Sequence, residues 1–516
     1  MRVGIIFVFV DYHRKGEHHR GFLQPQIGVL IAGLLPADIE IEVINDTWED
    51  PDWDRDYDLL FISGMHSDFD RARQISHYWR RRGAKTVYGG NMASTYPHLC
   101  LPFFDAVVIG DPEGSVPRIY RDFCAGKLQP LYRATPYNPL HVPVPRFDLL
   151  ASKQILPLGL EATRGCPFRC NFCALTGIGT RFHFRPPECV VRDISAGKTM
   201  LRELVASLRL GFVVFYDNNI GGNPQYLRRL CRALEPLGIR WGSSITFNAI
   251  ANVELVRMMS RSGCRFLFVG LESFNPDTLS DMRKHQNAIH KTRRIIEQCH
   301  EEGILVASGL MLSPQIDDLG YLRSIPNQLR DCGLYVPWYV CFETPFPGTP
   351  HFQGLAAQPR PALLPNALLR DFNTYTLVVR PKKASKEEFI GEYKWLIKNI
   401  YSRRNRAAKL MHDVPRLIRR GWYFSTMLDL IDQYQESYRP DASRTYIAGT
   451  DREPPESRGV PLSSNDFDSE AHCNAVMDPW QVSDSEGRVL PIWLGDQRAY
   501  GPKGRVADQS VEPVIV

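Results

Sequence analysis

Three cysteines stand close together in Arg164-Gly165-Cys166-Pro167-Phe168-Arg169-Cys170-Asn171-Phe172-Cys173, a C-x3-C-x2-C spacing. Thiolates at such spacing hold zinc or an iron–sulfur cluster. A closed zinc site takes four ligands, usually as two separated pairs. No second pair lies nearby, and His183 is the only close histidine. A [4Fe–4S] cluster has four iron corners, so three cysteines would hold three of them and leave the fourth open to another ligand. Proline and aromatic residues interleaved this tightly argue against three cysteines that merely pack as small apolar groups.

Other polar breaks follow short apolar runs. Asp11-Tyr12-His13-Arg14-Lys15-Gly16 follows Val3–Val10, Ser63-Gly64-Met65 follows Leu59–Ile62, and Gly89-Gly90 follows Thr86–Tyr88. Further on come Asp217-Asn218-Asn219, Gly270-Leu271-Glu272-Ser273 and Thr344-Pro345-Phe346-Pro347-Gly348-Thr349-Pro350. Apolar runs of buried-strand length, alternating with helical stretches, predict parallel sheets. In such sheets ligands bind at the carboxyl ends of the strands, where these breaks fall. Helical patterns are read at 27–35 and 69–82.

The expected fold class is α/β. Residues 1–140 are expected to form a doubly wound parallel sheet and 141–355 six or so βα units; the family resemblances given below imply a flavodoxin-like domain for the first and a partial (β/α) barrel for the second. Residues 356–445 read as a helical C-terminal region and 446–516 as a mostly disordered tail rich in Gly, Pro, Ser and acids. Prolines at 130, 136, 139, 143 and 145 mark 127–150 as an extended linker. Between Arg403 and Arg420, arginines interleave with Leu410, Val414, Leu417 and Ile418, a pattern that fits a solvated face or a peripheral membrane contact, with Pro415 as an interruption.

The chain has 516 residues, a net charge of +5 and twelve cysteines. That charge is small for the length and gives no reason to expect nucleic acid. Most of the cysteines are scattered, as reduced core residues are, not as a secreted disulfide framework. No apolar run is long enough to span a bilayer, and no cleavage site follows the first one, so a cytoplasmic enzyme is expected.

The cysteine stretch resembles the signature loop of the radical S-adenosylmethionine (radical SAM) superfamily. The resemblance implies that Cys166, Cys170 and Cys173 ligate a [4Fe–4S] cluster whose open iron binds S-adenosylmethionine, with Phe172 near the adenine. Asp217 and Asn218 resemble the segment that meets the amino group of that cofactor. Glu272 and Ser273 resemble one that meets its ribose or carboxylate, and Thr344–Pro350 resembles the loop after the sixth strand. The first three breaks resemble the signature of cobalamin-binding domains. That implies Asp11, His13, Gly16, Ser63, Gly89 and Gly90 as cobalamin-binding residues, His13 as the ligand below cobalt, and the glycines as passage for the nucleotide tail. Gly110-Asp111-Pro112-Glu113-Gly114 resembles a turn common near the end of these domains.

Together these resemblances imply a B12-dependent radical SAM enzyme, most simply a C-methyltransferase working on an unactivated carbon through a 5′-deoxyadenosyl radical and methylcobalamin. The alternatives are a cobalamin-assisted cyclase or rearrangement enzyme, and a non-enzymatic cobalamin-binding regulator. A small-molecule, lipid or natural-product substrate and an external electron donor complete the expectation.

Overall fold

The computed structural model describes residues 1–10, 18, 26–150, 158–202, 212–284, 286–287, 291–358, 362–365, 367–434, 445–449, 480–483 and 489–492. Asp11, His13 and Gly16 lie outside the described residues, as does most of the tail from 450 onward.

The first sheet has six strands: β1 (Arg2–Phe7), β2 (Glu40–Asn45), β3 (Leu59–Gly64), β4 (Lys85–Gly90), β5 (Ala106–Ile109) and β6 (Leu131–Arg133). All pairings are parallel and the order is β2-β1-β3-β4-β5-β6. The sequence alternates apolar side chains to two faces. Val3, Ile5, Leu59 and Phe61 enter one core, while Ile6, Leu60 and Ile62 enter the other. Burial on both faces is what turns these segments into continuous apolar runs. The second core is closed by the helix Phe69–Arg81, which buries Phe69, Ala72, Ile75 and Trp79. Trp79 also donates its indole N–H to the Arg55 carbonyl at 2.9 Å, and truncating it to Ala would cost about 3–5 kcal/mol.

This strand order reverses direction between β1 and β3, the point at which flavodoxin-like sheets open a crevice. Asp68 spans that point: its carboxylate accepts the Val10 N–H and the Met65 N–H, both at 3.0 Å.

The second sheet also has six strands. In chain order they are β7 (Leu158–Leu160), then, after a short antiparallel pair β8 (Thr163–Arg164) and β9 (His183–Phe184), β10 (Phe212–Phe215), β11 (Arg240–Ile245), β12 (Cys264–Glu272), β13 (Leu305–Leu312) and β14 (Tyr339–Phe342). β7 and β10–β14 lie side by side in chain order, all parallel. This is the open half-barrel the sequence predicts, with helices between its strands.

Two local readings change. The linker predicted over 127–150 contains β6, because Leu131–Arg133 completes the first sheet's edge against Val107–Ile109. Among the described residues the C-terminal region is helical at Leu369–Asp371, Lys386–Ile400, Arg403–Arg419 and Tyr423–Tyr434. Pro415 does not break the third of these. That helix buries a polar stripe, in which Lys409 reaches Asp413 at 3.0 Å and also pairs with Asp429. Among the described residues no helix is long and apolar enough to cross a membrane.

Candidate active site between two sets of strand ends

The cysteine loop begins at a turn that only glycine allows. Gly165 has φ +79°, and a Cβ there would lie 2.3 Å from the Arg181 carbonyl oxygen. The loop is bracketed by the β8–β9 pair, so Thr163 and Arg164 are fixed before Cys166 begins. Asp217, just past β10, ties the same segment down. Its carboxylate accepts the Ala162 N–H, the Thr163 N–H and the Thr163 hydroxyl, each at 2.8 Å. Burial pushes the Asp217 carboxyl up to about 7, against the pull of those donors.

Cys170 is buried, and Cys166 and Cys173 are half-buried. Burial raises the Cys170 and Cys173 thiols, and the nearby Lys284 ammonium opposes this at Cys170. Two amides reach toward the sulfurs: Asn219 Nδ2 lies 3.7 Å from Cys166 Sγ, and Gln286 Nε2 lies 3.9 Å from Cys170 Sγ. Among the described residues, Asp281, Glu343 and His351 form a group of three whose ligand atoms lie within 4.8 Å of one another. Three cysteine donors on one loop suit three corners of a cluster, with the fourth left open.

Around the loop, Glu272 sits at the end of β12 in left-handed conformation (φ +65°), where the β12–β13 register shifts. Its carboxylate pairs with the buried Lys284 ammonium. Burial alone would lower the Lys284 ammonium, but the Glu272 charge holds it above its ordinary range. Lys284 Nζ stands 5.9 Å from the Phe172 ring centre, and that ring packs on Met282, Met311 and Cys341. Ser273 is engaged locally, since its hydroxyl meets Tyr321 Oη at 2.8 Å and accepts the Asn275 N–H at 3.0 Å. Asn218 is exposed at the strand ends.

The first sheet offers a different surface. Ser63 is level with Gly89, and Gly64 with Gly90. Gly90 has φ +112°, and a Cβ on it would lie 2.5 Å from the Gly64 carbonyl. Beside Gly89 there is open space, with Val108 Cβ at 3.9 Å the only near atom among the described residues. Such a side-chain-free cradle lets a long ligand pass against backbone. His66 lies next to it, fully buried, and burial lowers its imidazole to about 4.

The two sets of strand ends meet. Arg164, one residue before the loop's glycine, bonds Asp111 at 3.0 Å and Glu113 at 2.8 Å, both in the turn after β5, as well as Glu161 at 2.7 Å. Gly348, in the proline-rich loop after β14, packs on Thr95 and lies within reach of the Tyr96 hydroxyl, both just past β4.

Sequence reasoning singled out Asp217, Glu272 and the cysteines, but not Asn219's approach to Cys166, Lys284, Gln286 or the Arg164 junction. Lys284 and Gln286 lie about 110 residues from the loop, in a segment without a motif of its own. Asn219 and Arg164 fall within the motif stretches, and only the fold shows what they face.

Residues 160–319 match the radical SAM superfamily. The bacteriochlorophyllide d C-12(1)-methyltransferase of Chlorobaculum tepidum is 25% identical over 354 residues, covering 67% of this chain and 75% of that protein. Among solved structures, the radical S-adenosylmethionine methyltransferase TsrM from Kitasatospora setae, with cobalamin and a [4Fe–4S] cluster bound, has a TM-score of 0.59 at 15% identity, covering 83% of this chain and 99% of that one. The cobalamin-dependent S-adenosylmethionine radical enzyme OxsB has a TM-score of 0.58 at 14% identity, over 86% and 77%. With its three-cysteine loop at the strand ends of an open half-barrel, this chain carries a radical SAM domain over residues 160–319 and is similar to enzymes named as methyltransferases.

Proposed function

We propose that the chain is a cobalamin-dependent radical SAM C-methyltransferase. The observation that carries this reading is the junction of the two sets of strand ends through Arg164 and Gly348. In this reading the glycine cradle and the cysteine loop are two walls of one space.

In this reading Cys166, Cys170 and Cys173 hold the cluster, with Asn219 and Gln286 directed at two of the sulfurs. Asn218, the Glu272–Lys284 pair and Phe172 surround the place of S-adenosylmethionine. Ser63, Gly89 and Gly90 take the cobalamin tail, and the sequence resemblance adds Asp11, His13 and Gly16 as cobalamin-binding residues. When bound, the cluster with S-adenosylmethionine supplies one-electron cleavage of a carbon–sulfur bond, and cobalamin supplies a transferable methyl group. The chain's own part is to hold both groups on rigid strand ends and to exclude water from the space between them, so that a reactive carbon is trapped where it forms.

An external one-electron donor and a small organic substrate complete the system. The relative's name points to a tetrapyrrole as the first substrate class to try. The test supplies reconstituted, reduced protein with S-adenosylmethionine carrying a labelled methyl group and a panel of tetrapyrroles and hopanoid lipids. The expected result is S-adenosylhomocysteine and 5′-deoxyadenosine in equal amounts, with the label on the product. Deoxyadenosine formed with a substrate but without S-adenosylhomocysteine would overturn methyl transfer.

A further inference from the structure

Glu343 follows β14 directly. It is buried to 1% exposure, and neither of its carboxylate oxygens has a hydrogen bond of good geometry among the described residues. The Ser313 hydroxyl is close enough to favour the charged form, yet burial still pushes the carboxyl up to about 8. An acidic group in that position needs a counterpart, because a buried carboxylate without one is strongly disfavoured. What faces it is His351, also buried, with Nε2 at 3.6 Å from Glu343 Oε1. Asp281, at the end of the helix Pro276–Asp281, brings a third ligand atom, and all three lie within 4.8 Å of one another.

The geometry matches a coordination sphere. Ligands about 2.1 Å from a tetrahedral ion stand about 3.4 Å apart, close to the spacing already present between His351 and Glu343. Asp281 is the exposed member, with the freedom to close the remaining gap. The backbone is held independently of any ion. The His351 N–H donates to the Asn171 carbonyl at 3.1 Å, and the Asn171 side-chain amide donates to the Asp281 carbonyl at 2.6 Å. Asn171 lies between Cys170 and Cys173, so this triad is fastened to the cysteine loop.

We infer that Asp281, Glu343 and His351 form a binding site for one first-row divalent cation, separate from the three cysteines. Two carboxylates and one imidazole suit Zn²⁺, Mn²⁺ or Fe²⁺ better than a thiolate-seeking ion. Three protein ligands leave at least one position for water or a substrate oxygen. The ion would join the helix end at Asp281, the exit of β14 and the first turn of the helix Pro350–Ala356 into one support under the loop.

The test uses protein whose cluster has been reconstituted, so that its thiols are occupied, and which has been freed of loose metal by a mild chelator and gel filtration. Mn²⁺ is added and the free-ion EPR signal followed, and Zn²⁺ is then titrated against it. The expected result is one Mn²⁺ per chain, displaced by Zn²⁺ in keeping with the order of divalent affinities. Glu343→Gln and His351→Ala should each weaken binding beyond the about 10–100-fold that loss of a mere outer partner costs. Asp281→Asn, which alters an exposed residue and leaves the core intact, should likewise weaken it by more than about 100-fold, with unchanged iron content. Wild-type protein that takes up no Mn²⁺ or Zn²⁺ beyond its cluster iron would overturn the inference. So would Asp281→Asn protein that binds Mn²⁺ as tightly as wild type.

Discussion

The two parallel sheets meet at their carboxyl strand ends, yet they build those ends from different material. The first sheet offers backbone: Ser63 and Gly64 level with Gly89 and Gly90, with open space where a side chain would be. The second offers side chains: three thiols, two amides, and an ion pair between Glu272 and Lys284. A cradle of backbone suits a ligand that brings its own chemistry and needs only room. A ring of side chains suits a ligand whose charge and redox properties the protein must set. One architecture therefore supports two kinds of site, and the division lies in what stands at the strand ends.

The largest expected effect separates the two sheets outright. Cys166→Ala, Cys170→Ala or Cys173→Ala should each bring the iron content of reconstituted protein from about four per chain to near zero. The first sheet should remain folded in all three, as read by cobalamin retention. A cysteine variant that keeps its full iron complement would remove that residue from the ligand set.

The next effect tests the junction. Arg164 is largely buried among Asp111, Glu113 and Glu161. Arg164→Met would leave Glu113 and Glu161 packed together without a counter-charge, at a cost of about 3–5 kcal/mol. Urea unfolding should then show two separated transitions in place of one. A variant that still unfolds in a single transition at the wild-type midpoint would show that the two sheets are coupled elsewhere.

How much of this was legible beforehand follows from the same contrast. Glycine pairs and cysteine triplets are local in sequence, and each residue type carries its meaning with it, so the cradle at Gly89-Gly90 and the loop at Cys166–Cys173 could be picked out directly. The parallel sheets followed from apolar runs buried on two faces. The missed features depend on long-range packing. Lys284 reaches Glu272 only because Glu272 turns left-handed at a register shift in β12. Glu343 and His351 flank the proline-rich segment Thr344–Pro350 without belonging to its pattern. Their significance rests on Asp281, some 60 residues earlier, and on a burial that no spacing discloses. The strand at Leu131–Arg133 was hidden for a simpler reason: it is short, an edge strand, and flanked by the prolines that made the region read as a linker.

A smaller effect belongs to the cradle. Gly90→Ala would force a residue with a side chain into a conformation that costs about 1–3 kcal/mol, and it would press a methyl against the Gly64 carbonyl. Cobalamin retention should fall while the iron content stays unchanged. Loss of both together would mean that the two walls are not independent.

The smallest effect is the sharpest test of the side-chain site. Asn219 is fully buried, with its amide nitrogen 3.7 Å from Cys166 Sγ and its oxygen 3.5 Å from the Thr246 hydroxyl. A donor directed at a cluster sulfur favours the more negatively charged, reduced state, which raises the reduction potential. The contact is long, so about 0.5–1 kcal/mol is a fair measure of its worth. With about 59 mV for each tenfold change in a one-electron couple, Asn219→Ala should lower the potential by about 20–45 mV. Iron content and fold should be unchanged, since Ala removes only the amide. A potential equal to wild type would mean that Asn219 serves to fix the turn after β10 and not to tune the sulfur, and a rise would reverse the sign of the argument.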